Sequence, residues 1–134
     1  MGLFGRLDVL VNSAGVYREG AIEDMTSEQL DEVLDINVKG TYYLCQAAVT
    51  ALKESRGNII NVASDAGIHG NYYCAAYCAS KGAVVLFTRS LALELAGFQV
   101  RSLARADRVA DVQAGQIAHR QRPHGHAPLA GLNL

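Results

Sequence analysis

The 134-residue chain is predicted to be an α/β protein with a parallel sheet, because strand-like and helix-like segments alternate along it. Two short apolar runs have the character of strands, Leu7 to Asn12 and Asn58 to Ala63. Two longer segments with helical spacing of apolar residues follow them, Thr26 to about Lys53 and about Ala75 to Leu95. This order favours right-handed crossovers between parallel strands.

The first strand and helix are defined by their boundaries. Leu7 to Asn12 is apolar and β-branched, and Ser13-Ala14-Gly15 closes it, which is typical of a buried strand and the turn after it. Thr26, with Gln29 three residues later, fits a capping box at the start of a helix. Gly57 is predicted to end that helix.

The second strand and helix have similar boundaries. Asn58 to Ala63 is predicted to be a buried strand, followed by a loop that contains Gly67 and Gly70. Gly97 is predicted to end the helix that begins near Ala75.

Composition excludes several classes of function. Half of the residues are hydrophobic and the formal net charge is −1, so nothing indicates attraction to nucleic acid or to an anionic membrane. The longest apolar runs are far too short to cross a bilayer, and the first residues lack the sustained apolar region of a secretion signal. Three cysteines without a disulfide-framework spacing favour a reducing, cytoplasmic setting.

Residues 101–134 differ in composition from the rest. They contain both prolines, three of the four histidines, and five arginines against two aspartates, with no lysine or aromatic residue. A helix from Ala104 to Ala118 would be marginal, and the sequence from His119 onward is typical of an unstructured chain. We therefore expect one domain at residues 1–100 and a disordered tail at residues 101–134.

Three polar residues between positions 64 and 81 carry chemistry. Tyr77 precedes Lys81 by four residues, which puts both side chains on one helix face. An ammonium beside a phenol favours the phenolate and lowers its pKa, and Ser64, at the end of the preceding strand, could bond the same substrate oxygen. This set indicates proton exchange with an alcohol or a carbonyl. Alone, Tyr77 and Lys81 also fit a solvated pair on a helix surface.

Four motifs in order resemble those of the short-chain dehydrogenase/reductases, NAD(P)-dependent oxidoreductases with a Rossmann fold. The segment Asn12-Ser13-Ala14-Gly15 is similar to that family's N-N-A-G, and Asp35 to Gly40 is similar to its asparagine-bearing helix segment. Asn61 to Gly67 resembles the strand end with the active-site serine, and Tyr77 to Lys81 resembles Y-x-A-S-K. The resemblance covers about Phe4 to Val100.

The resemblance implies a role for each matching residue. Tyr77 would be the general acid/base, and Lys81 would lower its pKa and bind the nicotinamide ribose. Ser64 would hold and polarise the substrate oxygen. Asn37 would bend its helix and anchor a water behind Lys81.

The same resemblance implies a cofactor and a reaction. Asn12, Ala14 and Gly15 would pass close to NAD or NADP, together with Tyr77 and Lys81. The reaction would interconvert a secondary alcohol and a ketone, a small-molecule substrate, by hydride transfer from or to the cofactor.

Departures from the family pattern lie at both ends. The strand, glycine-rich turn and helix that open the family do not occur here, nor does the residue that selects NAD or NADP, so the cofactor choice stays open. The sequence therefore predicts a partial doubly wound Rossmann-type sheet that lacks its first strands. Phe98 to Arg101 begins a further strand and Ser102 to Ala104 could continue it, but Arg105-Ala106 stands where P-G is expected. We expect an internal start and a shifted reading frame, or a decayed gene.

A different class of function stays open as well. In the family, the two long helices that correspond to Gln29–Lys53 and Ala75–Leu95 commonly form the subunit interface, which implies a homo-oligomer. The chain could also be a catalytically inactive fragment that only associates through those helices. Cys74, Cys78 and His69 lack a second ligand pair, so no metal site is predicted.

Overall fold

The computed structural model describes residues 5–105, which form a three-stranded parallel sheet packed against helices. The strands, in sheet order, are β1 (Val9–Asn12), β2 (Asn58–Val62) and β3 (Arg101–Arg105). In the register of the sheet Val9 pairs with Asn58, which in turn pairs with Arg101. The predicted parallel α/β architecture is confirmed. β3 begins at Arg101, three residues after the predicted start at Phe98, and includes the predicted continuation Ser102 to Ala104.

Three α-helices connect and cover the strands: α1 (Ser27–Leu34), α2 (Thr41–Ser55) and α3 (Ala75–Leu95). A π-helical turn, Asp35–Gly40, joins α1 to α2, and short 3₁₀ turns lie at Asp65–Gly67 and Ala96–Phe98. The bounds predicted for α3 are confirmed. Among the described residues, no helix is long and apolar enough to cross a membrane.

The start of α1 follows the predicted capping box. The Thr26 hydroxyl accepts a hydrogen bond from the Gln29 N–H at 3.2 Å, and the Gln29 side-chain oxygen accepts one from the Thr26 N–H at 3.0 Å. The single helix expected from Thr26 to Lys53 is wrong, because Asp35–Gly40 interrupts it with wider turns.

The roles predicted for Gly57 and Gly97 as helix ends both need correction. Arg56, not Gly57, takes the left-handed conformation after α2, with φ 55°. Gly57 is required for a different reason, since a Cβ there would lie 2.6 Å from the Asp8 carbonyl oxygen. After α3 the chain continues through a 3₁₀ turn that includes Gly97, and Gln99 adopts the positive φ of 60°.

The core lies on one face of the sheet, where α2 and α3 pack side by side. Leu10 and Ile59 of the sheet contact Leu52 of α2 and Leu95 of α3 in one apolar cluster. A second cluster joins Ala63, just after β2, to Val84 and Val85 of α3. Because side chains alternate along a strand, residues one position away point to the opposite face.

The opposite face of the sheet is apolar and open among residues 5–105. Val9 and Val11 of β1 are 45% and 55% exposed, and Leu103 of β3 is 58% exposed. The expectation that the first strand is buried was therefore wrong for one of its faces, because both long helices lie on the other. Residues 106–134, which carry most of the predicted tail, lie outside the described part of the chain.

Candidate active site

The predicted site residues meet where β1 and β2 end beside the N-terminal half of α3. Ser64 follows β2 by two residues and caps the 3₁₀ turn, its hydroxyl accepting a hydrogen bond from the Ala66 N–H at 3.2 Å. Tyr77 and Lys81 lie on the first two turns of α3. The carboxyl ends of parallel strands are the usual location of sites in α/β sheets.

Ser64 lies close to Tyr77. The Ser64 hydroxyl donates a hydrogen bond to Asp65 Oδ1 at 3.1 Å, and its proximity to the phenol lowers the pKa of Tyr77. Ser64 is 2% exposed, whereas Tyr77 is partly exposed. A substrate oxygen placed near the phenol would therefore be near two hydroxyl groups at once.

The expected lowering of the Tyr77 pKa by Lys81 is wrong for the structure described here. Burial raises the pKa of Tyr77 above its ordinary value, and this effect exceeds the lowering by Ser64. Lys81, whose Nζ lies 5.8 Å from the centre of the Tyr77 ring, does not reverse this rise. The ammonium is directed instead at the strand.

Lys81 is a buried cation. Its residue is 5% exposed, and Nζ donates a hydrogen bond to the Val62 carbonyl oxygen at 2.9 Å. Burial lowers the pKa of Lys81 from its ordinary value, because the charged form loses hydration. An ammonium has three donors, and the described residues supply one acceptor, so further acceptors from a ligand can be bound there.

Asn37 lies in the π-helical turn and joins three parts of the site. Its Oδ1 accepts from the Val16 N–H at 2.8 Å, and its Nδ2 donates to the Val16 carbonyl at 2.9 Å and to Ser80 Oγ at 3.0 Å. Thr41 Oγ1 donates to the Asn37 carbonyl at 2.9 Å, which competes with the regular helix bond. The π-helical turn lies at the residue where a bend in the helix was predicted, and the bend itself stays a prediction.

Asn12 lies at the end of β1 and begins a buried polar chain beneath the site. Its Nδ2 donates to Asn61 Oδ1 at 2.8 Å, and Asn61 Nδ2 donates to Thr88 Oγ1 at 2.9 Å. This chain connects β1, β2 and α3. The Asn12 side-chain oxygen is buried without a partner among the described residues.

Ala14 and Gly15 extend the site toward solvent. Both are exposed, and a Cβ on Gly15 would lie 3.2 Å from Asn37 Oδ1 and 3.5 Å from Lys81 Nζ. A larger residue would therefore crowd the ammonium. The open backbone at Ala14 and Gly15, the remaining donors of Lys81 and the unpaired oxygen of Asn12 fit a hydroxyl-rich cofactor at this edge.

Gly67 brings the Ser64 turn against α3. A Cβ at Gly67 would lie 2.7 Å from the backbone carbon and oxygen of Lys81 and 3.0 Å from the Gly82 nitrogen. Real Cβ atoms do not approach backbone that closely, so only glycine fits. The sequence indicated a loop at Gly67 but not this contact with α3.

Sequence reasoning missed three polar residues that hold the site together. They are Asn61, Thr88 and Ser80, all buried. Asn61 alternates with Ile59 on the covered face of β2, so a polar residue within an apolar strand was the available signal. Ser80 gave no such signal, although its hydroxyl accepts from Asn37 and donates to the Tyr77 carbonyl at 2.8 Å.

A family of known proteins matches this arrangement. Its model, that of the short chain dehydrogenases, matches residues 1–113. The chain belongs to the short-chain dehydrogenase family. The match covers all four motifs and continues past residue 100, where the family-like part was expected to end. That domain boundary stays a prediction.

Two curated relatives of this short-chain dehydrogenase are similar over most of its length. The 3-oxoacyl-(acyl-carrier-protein) reductase FabG of Thermotoga maritima is 41% identical over 99 residues, 73% of this chain and 40% of that protein. The trans-4-hydroxycyclohexanecarboxylate dehydrogenase of Sinomonas cyclohexanicum is 35% identical over 126 residues, 94% of this chain and 48% of that protein.

A solved structure of the same type carries a cofactor. ElxO with NADP bound matches this short-chain dehydrogenase with a TM-score of 0.75 and 29% identity, covering 84% of this chain and 49% of that chain. The chain thus spans less than half the length of each of these three relatives.

Proposed function

We propose that this chain carries the active-site half of an oxidoreductase that interconverts a secondary alcohol and a ketone with NAD(H) or NADP(H). One observation supports this proposal above the others: Ser64, Tyr77 and Lys81 come together at the end of β2, where the Ser64 hydroxyl lowers the pKa of the Tyr77 phenol. Lys81 lies one helical turn from Tyr77 and is held at the strand end by the Val62 carbonyl.

In this proposal each side chain has one task. Tyr77 gives the proton of its hydroxyl to the carbonyl oxygen as the carbonyl carbon is reduced, and takes it back in the reverse direction. Ser64 donates a hydrogen bond to the same oxygen. Asn37 holds the backbone at Val16 and the Ser80 hydroxyl, which keeps the segment after β1 against α3.

The cofactor of the proposed reaction is NAD or NADP. The nicotinamide would supply or accept the hydride. Lys81 would hold ribose hydroxyls with its remaining donors, and the open backbone of Ala14 and Gly15 would allow close approach. Asn12 would support that backbone from the end of β1. ElxO was solved with NADP, which supports a nicotinamide dinucleotide as the cofactor. It does not decide between NAD and NADP for this chain.

A fluorescence titration tests the proposal. Purified chain, shown to be folded by circular dichroism, is titrated with NADH and then with NADPH. We expect saturable binding of one of them, weakened by Lys81→Met and retained in Tyr77→Phe. Turnover of a ketone should be lost in Tyr77→Phe by about 10²-fold or more, because the proton donor is removed.

The control for the titration is Lys53→Met, because Lys53 lies on α2 over the Phe98 ring, away from the site. Equal weakening by Lys53→Met and Lys81→Met would count against a specific nucleotide site. Folded chain that binds neither nucleotide would overturn the enzyme proposal for this chain.

The second candidate function is association without catalysis. It is favoured by one observation, that Tyr43, Leu44 and Leu86 on α2 and α3 are more than half exposed. Helix faces of this kind are typical of contacts between subunits. Sedimentation of the wild type and of Leu86→Glu tests it, with Glu94→Gln as a control on the same helix. A monomer at high concentration would contradict it.

The compartment is inferred from the thiols. Cys45, Cys74 and Cys78 are all free, and two of them are buried. Free thiols of this kind are compatible with a reducing cytoplasm, which agrees with the inference from the sequence.

A further inference from the structure

Tyr17, on the segment after β1, lies edge-on against the ring of Tyr77. The two ring centres are 5.0 Å apart and the planes meet at 75°. This is the favoured T-shaped geometry of aromatic pairs, in which the positive edge of one ring meets the negative face of the other. None of the tasks assigned above involves Tyr17.

The hydroxyl of Tyr17 is bonded at the beginning of α3, the helix that carries Tyr77. Its hydroxyl shares a hydrogen bond with Cys74 Sγ at 2.8 Å and donates to Glu19 Oε2 at 3.2 Å. Cys74 is 2% exposed and lies directly before α3, three residues from Tyr77. Tyr17 is therefore bonded to the start of α3 and packs its ring against Tyr77 of the same helix.

The backbone around Tyr17 is fixed as well. The preceding residue, Val16, is bonded through both its N–H and its carbonyl to the Asn37 side chain. Three residues later, the Gly20 N–H donates to the Tyr73 carbonyl at 2.8 Å. Tyr73 adopts a φ of 55°, a left-handed conformation that non-glycine residues rarely take, so this contact is made against backbone strain.

A purely structural role would bury Tyr17, and the structure does not. The residue is 41% exposed, and its polar tip is bonded to a thiol and a carboxylate. Its main aromatic contact is Tyr77. Such a ring adds little to the apolar core, and its packing is directed at Tyr77.

We propose that Tyr17 is a positioning residue for Tyr77, its ring fixing the orientation of the phenol and covering one side of it against water, with Cys74 as its anchor. This role rests on the proposed function in one respect, that Tyr77 exchanges the proton with substrate. Loss of the Tyr17 ring would leave Tyr77 free to turn and more hydrated.

The contact is tested first in the wild-type chain, labelled with ¹³C only in its tyrosine rings. The Tyr77 signal is the one that disappears in Tyr77→Phe, and the Tyr17 signal the one that disappears in Tyr17→Phe. We expect a nuclear Overhauser effect between the two rings. Its absence in folded chain would overturn the proposal without any need for turnover.

The positioning role is then tested in variants by measuring the same Tyr77 ring signal. Tyr17→Leu should move the Tyr77 ring shifts toward those of an exposed tyrosine and bring its titration midpoint down toward about 10, since burial is the main cause of its raised pKa. Tyr17→Phe keeps the ring and loses the Cys74 bond, so a smaller change of the same sign is expected. The control is Tyr72→Leu, whose ring is 87% exposed and contacts Tyr73.

Equal spectra and titrations for Tyr17→Leu and Tyr72→Leu would overturn the proposal. If Tyr17→Leu does not fold, Tyr17→Phe and the wild-type contact decide the question. In turnover, Tyr17→Leu should lower kcat by roughly 10- to 100-fold with the nucleotide affinity unchanged, because misplacement of a reacting group costs that much.

These results separate the two proposals. Inactive chain with the ring contact and the titration shift intact would count against the proposed function alone. Active chain whose kcat is unaffected in Tyr17→Leu would overturn the positioning role alone.

Discussion

At the scale of single residues, the protonation of Tyr77 agrees with the proton donation that we propose. Burial raises the pKa of Tyr77 and the nearby Ser64 hydroxyl offsets only part of this rise, so the phenol is protonated at neutral pH. A protonated phenol is the form that reduction of a ketone needs. The nearby cation, Lys81, is buried with a lowered pKa and bonds to the backbone rather than to the phenol.

The raised pKa of Tyr77 predicts a loss of stability in alkali. Between the unfolded value of 10.0 and the higher folded value, the unfolded chain has released the phenol proton and the folded chain has not, so the free energy of unfolding falls as pH rises. Urea unfolding at about pH 8 and about pH 11 should show a smaller fall for Tyr77→Phe than for wild type.

The exposed Tyr43→Phe serves as the control for this titration. Cys45 and Cys74, whose pKa values burial raises above 9.0, contribute a loss of the same sign in all three proteins. An identical pH dependence in Tyr77→Phe and wild type would contradict the environment described for the phenol.

Gly67 gives a second prediction at this scale. In Gly67→Ala the new Cβ would meet the Lys81 backbone at 2.7 Å, so the Ser64 turn must move away from α3. We expect a loss of about 2 kcal/mol in the free energy of unfolding, as for other overpacked sites. Gly70→Ala, in the same loop with open space around it, should change stability little. Equal losses in urea unfolding would show that Gly67 is not in close contact.

At the scale of elements, the π-helical turn connects parts of the candidate site that are far apart in the sequence. It lets Asn37 reach Val16 on one side and Ser80 on the other, residues that are 21 and 43 positions away in the sequence. π-Helical turns of this kind occur frequently at functional sites. The turn therefore joins the segment after β1 to α3 through a single amide.

Removing that amide should loosen both elements. Asn37→Ala loses three hydrogen bonds and leaves the Val16 backbone groups without their partner, so we expect a loss of about 2–3 kcal/mol. The exposed Asn71→Ala should be near neutral. Urea unfolding followed by circular dichroism measures both. If the free energy of unfolding falls no more in Asn37→Ala than in Asn71→Ala, other contacts hold the turn.

At the scale of the whole molecule, the sequence predicted what depends on local pattern. The capping box at Thr26, the bounds of α3 and the parallel sheet all follow from spacing and from turn residues. The π-helical turn did not, since Asn37 finds its partners only after folding. The direction of the Tyr77 pKa was also wrong, because burial depends on packing that a four-residue spacing does not contain.

The other feature of this scale is the uneven covering of the sheet. Both long helices lie on the face of Leu10 and Ile59, while Val11 and Leu103 point to the opposite side. A sheet with one open apolar face exposes a contiguous patch, and such patches bind apolar partners. With all the described residues in place, Val11 is still 55% exposed.

The open face predicts binding of an apolar dye. Val11→Thr keeps a β-branched residue in the strand but replaces one exposed methyl group with a hydroxyl. The emission of bound anilinonaphthalene sulfonate should therefore fall. The free energy of unfolding should change by no more than about 0.5 kcal/mol, as at other surface positions. Ile22→Thr is the matched control, since Ile22 is 77% exposed but lies in the loop after β1 rather than on the sheet. Equal emission from wild type and both variants would mean that this face is not open in solution, and a fall confined to Val11→Thr would locate the dye on the sheet.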